Sequence, residues 1–193
     1  MTEKQAYDVV RSYGEFELRR YAPHVVAEVT VRAPFEDAGN VAFRTLLGYI
    51  SGQNRSATKV AMTAPVLQQP SERIAMTAPV QQRETAEGEY AVAFVLPASL
   101  TLESAPVPTS PDVRLVQRPE LLAAARRYRG GWSRAAYERH REELDRAVRA
   151  AGLVPVGVAT WARFDPPFMP SFLRRNEVVL EVNEQPPPAG VAD

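Results

Sequence analysis

No constellation of residues that would announce catalysis is present in this chain. It contains no cysteine, so disulfides, thiolate metal sites, cysteine nucleophiles and cysteine-held iron–sulfur clusters are excluded. No G-x-S-x-G elbow, P-loop, G-x-G-x-x-G or H-E-x-x-H spacing occurs. Glu15, Glu17, Glu28, Glu177 and Glu181 fall on extended stretches, where alternation directs charges to solvent. A pair of them converging in a cleft could do general acid–base work, but the sequence nominates no pair. What stands out is a repeat. Lys59-Val60-Ala61-Met62-Thr63-Ala64-Pro65-Val66 returns as Arg73-Ile74-Ala75-Met76-Thr77-Ala78-Pro79-Val80, identical from the first alanine onward. Alternating apolar and small residues suit a strand edge, Ala before Pro is held extended, and Pro ends or flanks a ladder. By residue type these are two strand ends placed alike, with Met62 and Met76 filling the core.

Two amphipathic helices and a set of strands must position whatever chemistry there is. The spacing predicts a helix over 34–50, with Pro34 at the first helical position and Glu36 and Asp37 in the first turn. Phe35, Ala38, Ala42, Leu46 and Tyr49 form one stripe, which Phe43, Leu47 and Ile50 widen. A second helix spans 133–151, capped by Ser133 and stopped by Gly152, with Tyr137, His140, Leu144, Val148 and Ala151 on its apolar face. Strands are predicted at Phe16–Arg20, Val25–Val31, Tyr90–Leu96, Val113–Gln117, Val156–Phe164 and Val178–Val182. Leu121–Arg129 favours a helix by propensity but reads as a strand, because Pro119 precedes it and a long helix follows within a few residues. The order is strand–strand–helix–strand–strand, twice, over about residues 6–97 and 111–183, without sequence identity between the halves. The fold class is therefore α+β, with each helix burying its stripe on one sheet face. Gln185–Asp193, containing Pro186-Pro187-Pro188, reads as a disordered tail.

MTAPV preceded by a basic residue resembles the signature of the SOUL haem-binding family. So do Glu17-Leu18-Arg19-Arg20-Tyr21, Tyr49-Ile50-Ser51-Gly52-Gln53-Asn54 and Phe164-Asp165-Pro166-Pro167-Phe168-Met169-Pro170-Ser171-Phe172-Leu173-Arg174-Arg175-Asn176-Glu177-Val178. The four motifs come in the family's order and cover residues 7–183, nearly the whole chain. The resemblance implies a single domain, a distorted antiparallel β-barrel with two outer helices and pseudo-twofold symmetry. The same architecture is similar to that of bacterial effector-binding domains, which take up drug-like molecules. The resemblance further implies a haem or porphyrin site on the first helix, at Asn40, Phe43, Leu47 and Gly48, and on the loop with Phe168, Met169 and Phe172. Basic side chains that meet the haem propionates in animal relatives align with Asn40, Gly48 and Met169, none of them basic. Arg44, Lys59, Arg174 or Arg175 would have to substitute. Arg174 and Arg175 also read as solvated charges at a strand start.

Iron ligation finds little support. The donors available are two histidines and four methionines, and a histidine suggested as ligand in one animal branch aligns with Arg20. His24 reads as an exposed residue at a hairpin tip or strand start, and His140 as a hydrogen-bonded core residue, so no metal ligand is expected. Lys plus Arg and Asp plus Glu are equal at 23 each, and no basic run is interleaved with aromatics. Nucleic acid and membrane insertion are therefore not expected. No secretory leader is apparent, which makes the cytoplasm the default location. The expected function is tetrapyrrole binding through apolar contacts, as a carrier, buffer or sensor. An effector-type site for another small molecule, or a hydrolase or isomerase on the same fold, is the alternative.

Overall fold

The computed structural model describes residues 3–57, 71–166 and 168–184. Its strands are β1 Glu3–Lys4, β2 Asp8–Ser12, β3 Glu17–Tyr21, β4 His24–Arg32, β5 Asn54–Arg55, β6 Thr77–Ala78, β7 Val80–Ala86, β8 Glu89–Val95, β9 Val107–Pro108, β10 Arg114–Arg118, β11 Leu121–Arg129, β12 Leu153–Arg163 and β13 Arg175–Glu184. Helix α1 is Phe35–Ile50 and helix α2 is Arg134–Ala150. The tail from Gln185 and the first copy of the octapeptide lie outside the described residues.

Both helices form where the spacing places them. Pro34 caps α1 with Glu36 and Asp37 in its first turn, and Phe35, Ala38, Ala42, Leu46, Tyr49 and Ile50 are buried. The stripe is narrower than expected, because Leu47 is exposed and Phe43 half-buried. Helix α1 packs along β4 and β8, which together cover a single stripe and leave Leu47 outside it. Ser133 caps α2, its hydroxyl accepting the Ala136 N–H at 3.3 Å. Tyr137, Leu144 and Val148 are buried beneath α2, and the Tyr137 hydroxyl donates to the Ala159 carbonyl at 2.9 Å. Leu121–Arg129 is a strand, paired with β3 on one side and β13 on the other. Cross-strand pairing on both edges overrides the helical preference of its three alanines.

Nine strands form one antiparallel sheet in the order β10-β4-β8-β7-β12-β13-β11-β3-β2. The halves exchange strands: β3 pairs with β11 of the second half, and β10 with β4 of the first. Only Ala22 and Pro23 separate β3 from β4, yet these strands stand near opposite ends of the sheet. Likewise only Pro119 and Glu120 separate β10 from β11. Such short links hold the two ends within a few Cα–Cα steps of about 3.8 Å, so the sheet curls strongly on itself. No ladder joins the outer strands β10 and β2. The sheet stays open, and the closed barrel is not formed among the described residues. At Gly157, with φ near +65°, the register of β12 against β13 shifts, the left-handed kink that glycine allows.

The helices cover the outer face of the curl. There Phe35 stacks on Trp161 at 4.8 Å between ring centres, and Phe43 meets Phe94 edge-on at 5.4 Å. Asn54 ties the end of α1 to the returning chain. Its amide donates to the Tyr49 and Glu72 carbonyls and its oxygen accepts the Glu72 N–H. The second octapeptide copy is partly a strand end, with Thr77–Ala78 paired in parallel to Glu3–Lys4. Met76 is exposed rather than core filler, because the segment Ser71–Met76 forms no strand that would carry it inward.

Candidate functional site

The site residues expected from sequence fall on the outer face of α1 and on the loop before β13. Asn40, Arg44 and Leu47 are exposed on α1. Gly48 lies close under Gln53, where a Cβ would come within 2.3 Å of Gln53 Oε1. Lys59 lies outside the described residues. In the loop, Phe168 and Phe172 are 85% and 72% exposed, with Leu173 exposed beside them. Local hydrogen bonds hold these side chains outward: Met169 N–H donates to the Pro166 carbonyl and Leu173 N–H to the Pro170 carbonyl, both at 3.0 Å. Arg175 and Asp165 close the loop with a pair of ionic hydrogen bonds, the shorter 2.6 Å, and hold the Asp165 carboxyl below its usual range.

Arg174 is half-buried rather than solvated. Its Nε donates to the Met169 carbonyl at 2.8 Å, and its guanidinium lies 4.3 Å from the ring centre of Trp132. The other guanidinium at this indole is that of Arg163, 4.8 Å from the ring centre, which in turn packs on Gly39 of α1. A chain of contacts through Gly39, Arg163, Trp132, Arg174 and Met169 therefore links α1 to the loop. Sequence reasoning singled out neither Trp132 nor Arg163. The available signal was on β12, where Trp161 and Arg163 stand two apart and so share one face of the strand.

The inner face of the curl holds a cleft of about 220 Å³ that the sequence did not disclose. Arg19, Tyr21, His24, Glu28, Arg118 and Glu177 line it. Arg19 is 1% exposed and donates to both Glu177 oxygens at 2.7 and 3.0 Å, to Glu17 at 2.8 Å and to the Tyr21 hydroxyl at 3.1 Å. Burial alone would depress this guanidinium, but hydrogen bonding to Glu177 and the proximity of Tyr21 raise it. Glu28 pairs with Arg118. Of the glutamates expected in solvent, Glu177 is buried and Glu28 half-buried on the inner face of the curl, while Glu181 stays exposed at the mouth of the cleft. His24 is half-buried rather than exposed. Its Nδ1 lies 2.8 Å from the Ala22 carbonyl and its Nε2 3.1 Å from the Gln5 amide nitrogen, partners that together fit a neutral imidazole protonated at Nδ1. Burial lowers its pKa. His140 hydrogen-bonds Glu143 at 3.1 Å and stacks on Tyr128 at 4.1 Å, the structural role its place on the stripe suggested. Burial lowers its pKa while Glu143 opposes the shift. Among the described residues no three His, Asp or Glu side chains gather to hold a metal, and no helix is long and apolar enough to cross a membrane.

Residues 2–181 match the family described as SOUL heme-binding protein. The chain belongs to the SOUL haem-binding family. It is 27% identical over 165 residues to heme-binding protein 1 of Xenopus tropicalis, covering 84% of this chain and 81% of the relative. The SOUL chain also shares its fold with distant solved structures. The EcmrR C-terminal domain superposes with a TM-score of 0.61 at 10% identity, over 93% of this chain and 99% of that one. A structure described as a hydrolase from Listeria innocua superposes at 0.52 with 13% identity, over 94% of each chain. At such identities the likeness concerns architecture alone. Family membership supports haem or tetrapyrrole binding. A second cavity, of about 380 Å³, lies between the helices and the sheet and is lined by Phe35, Gln82, Glu84, Tyr90, Tyr137 and Glu138 among others.

Proposed function

We propose that this SOUL protein binds one haem or related porphyrin on its outer surface, without catalysing a reaction. Asn40, Phe43, Arg44, Leu47 and Gly48 on α1 and Phe168, Met169, Phe172 and Arg174 on the loop would contribute. The observation that carries this reading is the exposure of Phe168, Phe172 and Leu173 together in one hydrogen-bonded loop. Burying a side chain of this kind contributes about 1.5–3 kcal/mol, and a macrocycle offers an apolar face large enough to cover several. A role as a cytoplasmic carrier, buffer or sensor follows from binding without chemistry, and the formal charge balance of zero favours no nucleic-acid or membrane partner.

Titrating the purified protein with haemin and following the absorption bands tests this directly, with a 1:1 endpoint expected. Leu47 is exposed, so Leu47→Glu should fold normally. It should weaken haemin binding at least tenfold, by placing a carboxylate against the ligand's apolar face. A titration indistinguishable from the parent would remove α1 from the site.

Iron is not the anchor in this reading. His24 lines the cleft on the inner face, and His140 is engaged with Glu143 and Tyr128. Metal-free protoporphyrin IX should then bind within about tenfold of haemin, a difference of roughly 1.4 kcal/mol. Haemin binding lost in His24→Ala or His140→Ala, with porphyrin binding and folding retained, would identify that histidine as a ligand and overturn the expectation.

A second reading, an effector-type site for a small non-haem molecule, draws on the inner cleft, whose lining mixes charged and apolar side chains. A ligand held there should leave the haemin titration unchanged.

A further inference from the structure

The helix-bearing face encloses a cation that has no counter-charge among the described residues. Arg163 ends β12 and is 5% exposed, and its Nε and Nη1 are buried without a hydrogen-bond partner among the described residues. Its neighbours are aromatic, with the ring centres of Trp132 and Trp161 at 4.8 and 5.0 Å from the guanidinium carbon. Gly39 lies against it so closely that a Cβ there would fall 1.2 Å from Nη2. The buried face of α1 thus carries glycine where the guanidinium needs the space. Burial lowers the Arg163 pKa to about 10, which leaves the group charged at neutral pH.

The imbalance extends beyond one side chain. Trp132 Nε1 and Trp161 Nε1 are also buried without partners among the described residues, and the unpaired acceptors nearby are Tyr128 Oη, Asn176 Oδ1 and Oε1 of Gln82, the cross-strand neighbour of Trp161. Tyr128, Asn176 and Arg163 form one cross-strand row over β11, β13 and β12. Pairing Trp161 with Tyr128 or Gln82, and one further donor with each remaining acceptor, would still leave Arg163 with N–H groups to spare. Aromatic faces offset part of the cost of burying a cation, but they accept no N–H in the guanidinium plane. A buried charge left in this state is costly unless a counter-charge arrives from beyond the described residues.

The position of the group indicates what would arrive. Trp132 is half-exposed, follows Gly130 and Gly131, and carries Arg174 on its ring, while Arg174 holds the Met169 carbonyl. Arg163 therefore sits directly behind the loop that bears the exposed phenylalanines. We propose that Arg163 is the anion receptor of this surface, taking a carboxylate of the bound ligand with Trp132 as its movable cover. This rests on the tetrapyrrole reading and narrows it: the preferred ligand is a porphyrin with free acidic side chains. Guanidinium suits the task because its fixed fork can meet both oxygens of a carboxylate.

The test compares haemin with haemin dimethyl ester, whose carboxylates are masked, in the parent protein and in Arg163→Met. The parent should bind haemin at least tenfold more tightly than the ester, and Arg163→Met should bind the two alike, at the parent's affinity for the ester. Arg163→Met should also unfold at the same or a higher temperature, since it removes a buried charge that no described residue pairs. Equal affinity of the parent for acid and ester would overturn the proposal without recourse to any variant, and so would parent-like haemin binding by Arg163→Met. A second measurement separates the anion site from the tetrapyrrole reading. The chain has two tryptophans, and both flank Arg163, so their emission reports on this site. Sodium propionate should shift that emission in the parent but not in Arg163→Met, with sodium chloride at equal ionic strength as the control. A propionate response with no binding of haemin or ester would leave Arg163 an anion site and refute the tetrapyrrole reading. No propionate response, with equal binding of acid and ester, would refute the anion site and leave that reading standing.

Discussion

Glu177→Ala is expected to destabilise the protein by about 3 kcal/mol, the lower part of the range for breaking a buried ion pair. Glu177 is 6% exposed and accepts from both Arg19 terminal nitrogens and from Arg127 Nε at 2.9 Å. Removing its carboxylate leaves the Arg19 guanidinium buried with Glu17 and the Tyr21 hydroxyl as remaining acceptors. Those two partners place the expected loss at the lower end. In a chain of this size the melting temperature should fall by roughly 6–12 °C. Urea unfolding should show a lower midpoint at an unchanged slope. The double variant Arg19→Met with Glu177→Leu should recover most of the loss, because an apolar pair of similar volume carries no uncompensated charge. A single-variant loss under about 1 kcal/mol would mean that the pair is screened like a surface bridge.

Trp161→Ala should cost at least as much, about 3–5 kcal/mol, by opening a cavity that its neighbours cannot fill. The indole is fully buried, stacks on Phe35 with the planes 10° apart, and lies 6.0 Å from the Tyr137 ring. These contacts join α1 and α2 to β12, so both helices lose packing at once. Trp161 also supplies one of the two aromatic faces against Arg163. Trp161→Phe retains a ring and should cost less than half as much. Denaturant midpoints of the two variants decide the matter, and a Trp161→Ala loss below about 1 kcal/mol would show that the helices close over the gap.

Local periodicity made much of the framework legible. Helix α1 follows from Pro34, Glu36, Asp37 and a stripe at three- and four-residue spacing, and α2 from Ser133 and its own stripe. The strand at Leu121–Arg129 followed from its neighbours rather than from its own composition. Strand β7 escaped notice because Gln81, Gln82, Arg83 and Glu84 offer no apolar alternation, even though Gln82 is buried. The candidate surface was legible through motif positions: Phe168 and Phe172 do project from a loop, whereas Phe43 leans on Phe94.

What the sequence determined by itself is the identity of the local elements and the family to which their motifs belong. Only the tertiary structure decided which charges are buried and with whom. Alternation along a strand separates its two faces but does not say which is covered, so Glu28 and Glu177 read as solvated residues and Arg19 drew no notice as a buried charge. The exchange of β3 and β10 between the halves curls the sheet and turns these charges into the lining of a cleft. Arg19 and Glu177 lie 158 residues apart, far beyond the reach of any periodic signal. Arg163 passed unremarked for the same reason. Nothing adjacent in the chain shows that Trp132 would cover it, or that α1 would set Gly39 against it without offering an acceptor.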